Sequence, residues 1–326
     1  MAHILDGGNP EHLHRAAMAL REGRLVAFPT ETVYGLGANA GDDAAVAAIF
    51  STKGRPADHP LIVHVAGVEA ADALASDIPS VARRLMDAFW PGPLTVIVPR
   101  RPGVATAAAG GHDTIGLRCP AHPVAHSLLE ACAREGLVGL AAPSANLFGR
   151  ISPTTARHVA DEFDDEVWVL DGGPCRVGIE STIIDCSRGR PVLLRPGVLT
   201  PVQIEAAIGE PVLERDDTAP RASGTLEAHY APRARLRLMD AETLKNALHV
   251  LGDAPLKLAL YSRTVRAPRG VVFRPMPGDA VRAAQELFAV LRELDALGVQ
   301  LIWVESPPPS PEWDGVRDRL MRAAAS

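Results

Sequence analysis

Cationic and hydroxyl side chains recur in short motifs near the predicted strands of this chain. The cations are Lys53 and Arg55 in STKGRPADHPLIVH, Arg118 in TIGLRCP and Arg195 in LLRPG. The other polar members of the set are Thr30, Glu31, Thr32, His59, His64, Thr114, Ser144, Asn146, Ser152 and Ser181. Ammonium and guanidinium groups neutralise phosphate charge, and hydroxyls and Gly-rich backbone donate hydrogen bonds to phosphate oxygens. The combination therefore predicts a local site for a polyphosphate.

Each motif alone has an ordinary structural explanation. KGR is typical of a solvated turn, SAN of a cap or an Asx turn, and the histidine in LIVHV of a hydrogen-bonded core side chain. The whole set indicates chemistry because we expect its members just after strand ends, where ligands bind in α/β sheets.

The segment TETVYGLGANAG suggests a competing dinucleotide site. Gly35 and Gly37 match the first two glycines of that fingerprint, but the third falls at Gly41, one residue late, and PTET separates the motif from its strand. A NAD site is therefore disfavoured. The chain has no P-loop motif, PSANLFG is not a nucleophile elbow, and no spacing of His, Cys, Asp or Glu predicts a metal cage held by protein ligands.

Length and composition indicate a folded chain of two domains. The chain has 326 residues, of which 47% are hydrophobic and 22% charged, and domains commonly contain about 100–200 residues. The formal net charge of -6 argues against binding nucleic acid through general basicity, although a local basic cleft remains compatible with it.

The four cysteines and the N-terminal sequence favour a cytoplasmic protein. The cysteines form no CxxC pair and are expected to be reduced thiols. The N-terminal segment contains acidic residues and proline, unlike a signal peptide, and no apolar stretch approaches 18 residues. We therefore expect no contact with a membrane.

Short apolar runs separated by helical stretches predict an α/β domain on one large, mixed sheet. Asn9, Pro10 and Glu11 are typical of a helix start, and the helix is expected to end at Gly23. The predicted strands are 25–28, 61–65, 94–98, 137–141, 167–170 and 183–185.

Periodicity stops in the segment 210–235, which is rich in proline, charge and small residues and is predicted to be a linker. The predicted domains are therefore 8–209 and 236–326. In the second, strands are expected near 236 and at 256–260, 271–273 and 301–304, with helices at 242–251, around 284–294 and at the C-terminus. This alternation predicts a small Rossmann-like α/β domain.

The ordered motifs resemble those of the threonylcarbamoyl-AMP synthase family, the YrdC-like enzymes. The motifs are PTETVYGLG, KGRPADHPLIVH, FWPGPLT, GLRCP, APSANLFGRISPT, GIESTIID, LLRPG and SGTLEAHYAPRA. The HYAP linker and the second domain make the chain similar to the long, two-domain form. The resemblance implies a twisted open α/β sheet with a basic concave cavity, and it is looser over 236–326.

The resemblance implies an enzyme that converts L-threonine, bicarbonate and ATP into L-threonylcarbamoyl-AMP and diphosphate. This product serves the N6-threonylcarbamoyl modification of adenosine 37 in tRNA. Mg2+ is expected on the ATP phosphates with few protein ligands. Expected partners are a downstream threonylcarbamoyl transferase complex and, weakly, tRNA.

The resemblance also implies roles for individual residues. Lys53 and Arg55 are the expected catalytic residues and, with Arg195, would stabilise charge on the phosphates. The expected threonine-binding residues are Thr32, His64, Arg118, Ala142 and Ser181. The expected ATP-binding residues are Arg55, His59, Thr114, Ser144, Asn146, Ser152, Arg195 and Tyr230. His59 departs from the family, in which asparagine is common at this position.

Three questions stay open in the sequence. No residue is identified as a general base. Two alternative functions remain. One is an RNA-binding protein, although the sequence has none of the usual RNA-binding motifs. The other is a carbamoyl-phosphate-using transferase of the hydrogenase-maturation type, although the acylphosphatase and zinc-finger segments of such proteins are missing. The linker is either a tether or a lid that brings Tyr230 to the ATP phosphates.

Overall fold

The computed structural model describes residues 3–163, 167–226, 228–251 and 257–325. The chain divides into two compact units. The first unit is formed by Met1–Phe148 and Ser152–Thr225, and the second by Gly149–Ile151 and Leu226–Ser326. The predicted domain limits at 209/210 and 235/236 stay predictions. No described helix combines the length and the apolar character that crossing a membrane requires.

The first unit is built on a ten-stranded mixed sheet, which confirms the predicted α/β class. Its strands are β1 His3–Asp6, β2 Val26–Phe28, β3 Gly35–Asn39, β4 Ile62–His64, β5 Leu94–Pro99, β6 Thr114–Arg118, β7 Leu140–Ala141, β8 Trp168–Asp171, β9 Thr182–Asp185 and β10 Val192–Arg195. Their order across the sheet is β1-β8-β2-β3-β7-β4-β6-β5-β9-β10, so the sheet is open at β1 and β10.

Seven helices of the first unit lie in its described part. They are α1 Pro10–Arg21, α2 Asp43–Lys53, α3 Val68–Leu74, α4 Ser80–Phe89, α5 Pro123–Arg134, α6 Ala156–Ala160 and α7 Pro201–Ile208. The predicted start of α1 is confirmed, because the Asn9 side chain accepts a hydrogen bond from the Glu11 N–H and Pro10 occupies the first turn. Separate apolar clusters bury α1 with α5 and α2 with α4, and these fix the helices on the sheet.

The second unit has a four-stranded parallel sheet in the order β11-β14-β12-β13. Its strands are β11 Arg235–Met239, β12 Leu258–Ser262, β13 Val272–Pro275 and β14 Leu301–Glu305, and its helices are α8 Ala241–Leu251, α9 Ala280–Ala296 and α10 Asp314–Ala324. The Rossmann-like prediction is confirmed in element type and order. Leu256, the predicted start of one strand, lies outside the described residues.

A buried carboxylate connects two central strands of the second unit. Glu305 ends β14 and accepts hydrogen bonds from the Ser262 hydroxyl (2.5 Å) and from the backbone N–H groups of Arg263 (2.9 Å) and Thr264 (2.8 Å). Burial raises the pKa of Glu305, but the bonds from Ser262 and Thr264 and the charge of Arg263 outweigh it, so the pKa lies below its usual value. The carboxylate is therefore ionised at neutral pH.

The beginning of the predicted linker belongs to the first unit. Leu213 pairs with Val192 at the edge strand β10, and Asp216 forms ion pairs with Arg188 (2.9 Å) and Arg190 (2.8 Å). Ala219 and Ala222 pack against a cluster of buried side chains: Ile97, Ile183, Val192 and Leu194. The segment is irregular, as the sequence predicted, but up to Thr225 it is held against the sheet.

Candidate active site

The KGR motif marks the end of a helix. Lys53 is the last residue of α2, and Gly54 closes the helix with φ +63°, a left-handed conformation that glycine adopts without strain. The Lys53 side chain is 3% exposed, and its Nζ donates to the backbone oxygens of Ser144 (2.6 Å) and Asn146. Burial and the nearby Arg55 hold the pKa of Lys53 well below its usual value. Lys53 thereby connects the KxR and SxN motifs.

Arg55 and His59 both lie close to one aromatic ring, that of Phe148. The Arg55 guanidinium carbon is 6.0 Å from the Phe148 ring centre, and the His59 ring is 5.9 Å from it. Arg55 also donates to the Pro60 oxygen at 3.3 Å. Burial and the charge of Arg55 lower the pKa of His59, so its imidazole is neutral at neutral pH. The predicted ATP-binding residues of this stretch are therefore brought together.

The PTET motif folds into a tight hydroxyl-bonded turn after β2. The Thr30 hydroxyl donates to the Val33 oxygen (2.7 Å) and lies 2.8 Å from the Thr32 hydroxyl. Thr32 is fully buried. Glu31, between them, directs its carboxylate to Arg118, whose Nη2 is 2.5 Å from Oε1. The sequence analysis included Glu31 in the polar set but gave it no individual role.

His64 and Arg118 are register partners at the carboxyl ends of the parallel strands β4 and β6. Burial, together with the charge of Arg118, lowers the pKa of His64 to about 3. His64 is therefore neutral, and its Nδ1 is buried without a hydrogen-bond partner in the described part of the chain. The pair presents one cation and one neutral imidazole next to each other.

Ser181 and Arg195 meet at the same edge of the sheet. The Arg195 guanidinium donates to the Ser181 oxygen (2.9 Å) and hydroxyl (3.1 Å), and the Thr95 hydroxyl is 2.7 Å from that hydroxyl. Gly197 makes the approach possible, because a Cβ there would lie 2.5 Å from the Thr182 nitrogen. Thr95 ends the FWPGPLT motif, but the sequence analysis did not single it out as a site residue.

Two residues expected after strand ends instead lie at strand starts. Thr114 begins β6, and Ser181 directly precedes β9. Because β9 runs antiparallel to β6 through β5, the start of β9 lies at the edge where Arg118 ends β6. Thr114 and Arg118 share a face of β6, separated by about 13 Å along the strand. A ligand on this face would therefore contact Thr114 and Arg118 at opposite ends.

A small cavity covers the middle of this face and has a volume of about 20 Å³. Sheet residues lining it include Ile62, Thr95, Thr114 and Ile183, and the linker residues 221–223 close it. Two contacts hold the linker there: Arg195 donates to the Ser223 oxygen (2.9 Å), and Arg221 pairs with Asp58 (2.7 Å). The space fits about one water molecule. A larger cleft of about 680 Å³, lined by Arg24, Thr52 and Leu147 among others, lacks the predicted cations.

The remaining predicted residues divide between the two units. Ala142 follows β7 and donates its N–H to the Ile62 oxygen (2.9 Å), beside the cavity. The Ser152 hydroxyl donates to the buried Glu180 carboxylate at 2.5 Å. Tyr230 belongs to the second unit, where its ring lies 5.3 Å from Phe288. Its predicted contact with ATP stays a prediction.

Family profiles match nearly the whole chain. The profile described as "Telomere recombination", which groups the Sua5, YciO and YrdC proteins, matches residues 18–197. The profile described as "Threonylcarbamoyl-AMP synthase, C-terminal domain" matches residues 199–325. The two matches follow each other without overlap and include every predicted site residue.

Curated relatives and a solved structure agree with these profiles. A Pyrococcus abyssi protein named threonylcarbamoyl-AMP synthase is 41% identical, with 95% of this chain and 93% of the relative covered. A Bacillus subtilis protein of the same name is 39% identical over 97% of this chain and 94% of the relative. The crystal structure of P. abyssi Sua5 complexed with L-threonine superposes with a TM-score of 0.88, at 38% identity, covering 97% of this chain and 95% of that one. The chain therefore belongs to the Sua5/YrdC family, in its two-domain threonylcarbamoyl-AMP synthase form.

Proposed function

We propose that this chain synthesises L-threonylcarbamoyl-AMP from L-threonine, bicarbonate and ATP, releasing diphosphate and water. The observation that carries the proposal is the pairing of Arg118 with neutral His64 at the sheet edge where Ser181 and Arg195 also meet. Such an arrangement suits a small amino acid beside a polyphosphate. The relatives that align over nearly the whole chain carry the name of this activity.

Threonine would bind at the Arg118 end of the face. A guanidinium binds a carboxylate through two parallel hydrogen bonds. The neutral His64 ring and the hydroxyls of Thr32 and Ser181 offer hydrogen-bonding partners for the amine and the side-chain hydroxyl of threonine. A protonated His64 would repel the ammonium group, so the low pKa of His64 is suited to this substrate.

ATP would bind with its phosphates between the KxR, SxN and Arg195 groups. Lys53 already donates to two loop carbonyls, and so it shapes the SxN loop while contributing its charge. Arg55 and Arg195 would bind phosphate oxygens directly. Fixed cations of this kind stabilise the charge that develops in nucleotidyl transfer, and positioning does most of the remaining work.

The chemistry would proceed in two bond-forming steps. Bicarbonate takes up the proton that the threonine ammonium group loses and gives carbon dioxide and water. The amine nitrogen then attacks the carbon of carbon dioxide, one C=O bond becomes a C–O⁻ bond, and the nitrogen loses its second proton to solvent as the carbamate forms. A carbamate oxygen then attacks the α-phosphorus, and the bond from that phosphorus to the oxygen bridging to the β-phosphate breaks in line, releasing diphosphate. We assign no general base.

Mg2+ would be carried mainly by the ATP phosphates, where it would neutralise charge and orient the leaving diphosphate. The residues around the site suit this arrangement, because they are cations and hydroxyls. Among the residues that the structure describes, no three His, Cys, Asp or Glu side chains are grouped so as to hold a metal.

The linker would act as a lid over the reaction. ATP needs several hundred Å³, and the cavity beneath residues 221–223 provides about 20 Å³. These residues would open to admit ATP and close again to keep water from the carbamate and the adenylate. The Arg221–Asp58 pair is exposed, and because surface ion pairs contribute little to stability it is compatible with repeated opening.

The product would need a consumer close at hand. A mixed anhydride between a carbamate and a phosphate is prone to hydrolysis, and so we propose a downstream transferase complex that acts on tRNA adenosine 37. A weak contact of this chain with tRNA and a cytoplasmic location belong to the same proposal. The four cysteines are free and buried, as expected for reduced thiols.

The test is a reconstitution from purified components. Diphosphate release is expected only when ATP, L-threonine and bicarbonate are all present, and mass spectrometry should detect a threonine-containing adenylate. Diphosphate release that does not depend on threonine would refute the proposal, and so would turnover of carbamoyl phosphate in place of bicarbonate. Binding to tRNA without any diphosphate release would favour the RNA-binding alternative.

A further inference from the structure

Glu31 is a buried carboxylate that is fixed at both ends. Its Oε1 accepts from Arg118 Nη2 (2.5 Å), and its Oε2 accepts from the Ala121 N–H (3.0 Å). Its backbone oxygen accepts from the Val177 N–H at 2.7 Å. The side chain is about 10% exposed and that of Arg118 is 4% exposed. Glu31 is therefore a rigid partner of Arg118.

The contact with Glu31 determines which edge of the Arg118 guanidinium is open to a ligand. Arg118 Nε points to the Gly92 oxygen at 3.4 Å, a weak bond, and Nη2 makes the short bond to Glu31. Both nitrogens of the side edge, Nε and Nη2, therefore already contact protein oxygens. Nη1 makes no recorded hydrogen bond to any residue that the structure describes, so the end edge formed by Nη1 and Nη2 is the one left for a ligand carboxylate.

Two roles for Glu31 make opposite predictions. In a competing role, Glu31 would occupy the position of the substrate carboxylate on Arg118 and would give up this contact when threonine binds. Leaving would strand a buried carboxylate and the Ala121 N–H, each of which is costly to desolvate without a partner. The anchored geometry therefore favours a role in which Glu31 stays in place and orients the guanidinium.

We propose that Glu31 is the positioning residue for threonine, acting through Arg118. It directs the end edge of the guanidinium toward the substrate carboxylate. This proposal rests on the proposed synthase function. It adds a specificity element at the PTET turn, because the position of the carboxylate fixes where the amine and the hydroxyl of the amino acid lie.

The experiment compares Glu31→Ala and Glu31→Gln in the full chain. Glu135→Gln serves as the control, since it removes a carboxylate from an ion pair with Arg21 (2.7 Å) elsewhere in the first unit. We expect Glu31→Ala to raise the threonine KM at least about tenfold while kcat and the ATP KM change little. Glu31→Gln keeps an oxygen that accepts from Arg118 and should recover part of the loss. Combined with Arg118→Ala, Glu31→Ala should add almost nothing.

Three outcomes would overturn the proposal. A threonine KM that is unchanged or lowered in Glu31→Ala would exclude positioning, and a lowered value would indicate competition. Additive effects in the double variant would show that Glu31 does not act through Arg118. A lower kcat, a higher ATP KM and a lower melting temperature together in both Glu31 variants would indicate a structural role alone. The unmodified chain and Glu135→Gln test the synthase activity separately: if neither forms the adenylate, the proposed function fails, and calorimetric threonine binding still tests Glu31.

Discussion

Lys53→Met separates the catalytic contribution of Lys53 from its structural one. Hydrogen bonds that involve a charged group contribute about 1.5–3 kcal/mol each, so losing those to Ser144 and Asn146 costs about 3–6 kcal/mol. The change also relieves the desolvation of a buried ammonium group, a penalty of several kcal/mol. The lowered pKa of Lys53 shows that this penalty is present. Because methionine fills a similar volume, we expect the free energy of unfolding to change by less than about 2 kcal/mol.

The synthase activity of Lys53→Met, unlike its stability, is not expected to be preserved. The ammonium charge lies beside the proposed phosphate site, and losing one group aimed at developing charge typically costs about 10²–10³ in turnover. We therefore expect diphosphate release with threonine and bicarbonate to fall at least about tenfold. Lys245→Met, which changes an exposed lysine on α8, is the matched control and should leave turnover unchanged.

The assay pairs turnover with thermal melting of the same samples. Turnover close to that of the unmodified chain, with a normal melting temperature, would remove Lys53 from the mechanism. A collapse of the melting temperature would show that the carbonyl bonds outweigh the desolvation penalty, and the argument from cancelling energies would be wrong.

Three further expectations follow from the site. Arg118→Ala should raise the threonine KM at least about tenfold while calorimetric ATP binding persists; unchanged threonine affinity would contradict its role. The pKa of His64 is about 3 in the folded chain instead of 6.5. Between these two pH values the unfolded chain therefore binds a proton at His64 that the folded chain does not bind. Stability is therefore complete above pH 6.5 and declines as the pH falls toward 3, and His64→Gln should show a shallower decline in melting temperature; equal slopes would refute this. Trypsin cleavage after Arg215 or Arg221 should slow when ATP and threonine are added; equal rates would show the linker to be a tether.

Strand composition explains which elements the sequence could predict. β5 and β14 are nearly continuous apolar runs because the side chains on both of their faces are buried or partly buried, and they were predicted. β3 and β6 were missed because glycines and hydroxyl residues occupy positions on them. β1 and β10, the two edge strands of the sheet, were also missed.

Sequence motifs identified most residue types of the candidate site. The contacts between those residues could be known only from the fold. Glu31 reaches Arg118 across 87 residues of sequence, and Thr95 reaches Ser181 across 86. No local spacing encodes such pairs, since they are set by strand order and register. Ser181 illustrates the same point, because an antiparallel neighbour brings the start of its strand to the edge where Arg118 lies.

The buried Glu305 limits what the second unit can bind. In open parallel sheets, nucleotides bind where the chain leaves two adjacent strands in opposite directions. Here those strands are β14 and β12. The chain leaves β14 for α10, which packs toward β11 on one side, and it leaves β12 for β13 on the other side. The backbone donors that would meet a phosphate at this point already bind the Glu305 carboxylate. An incoming nucleotide would have to displace an ionised group and face its repulsion, so the second unit shares the architecture of nucleotide-binding sheets without their chemistry.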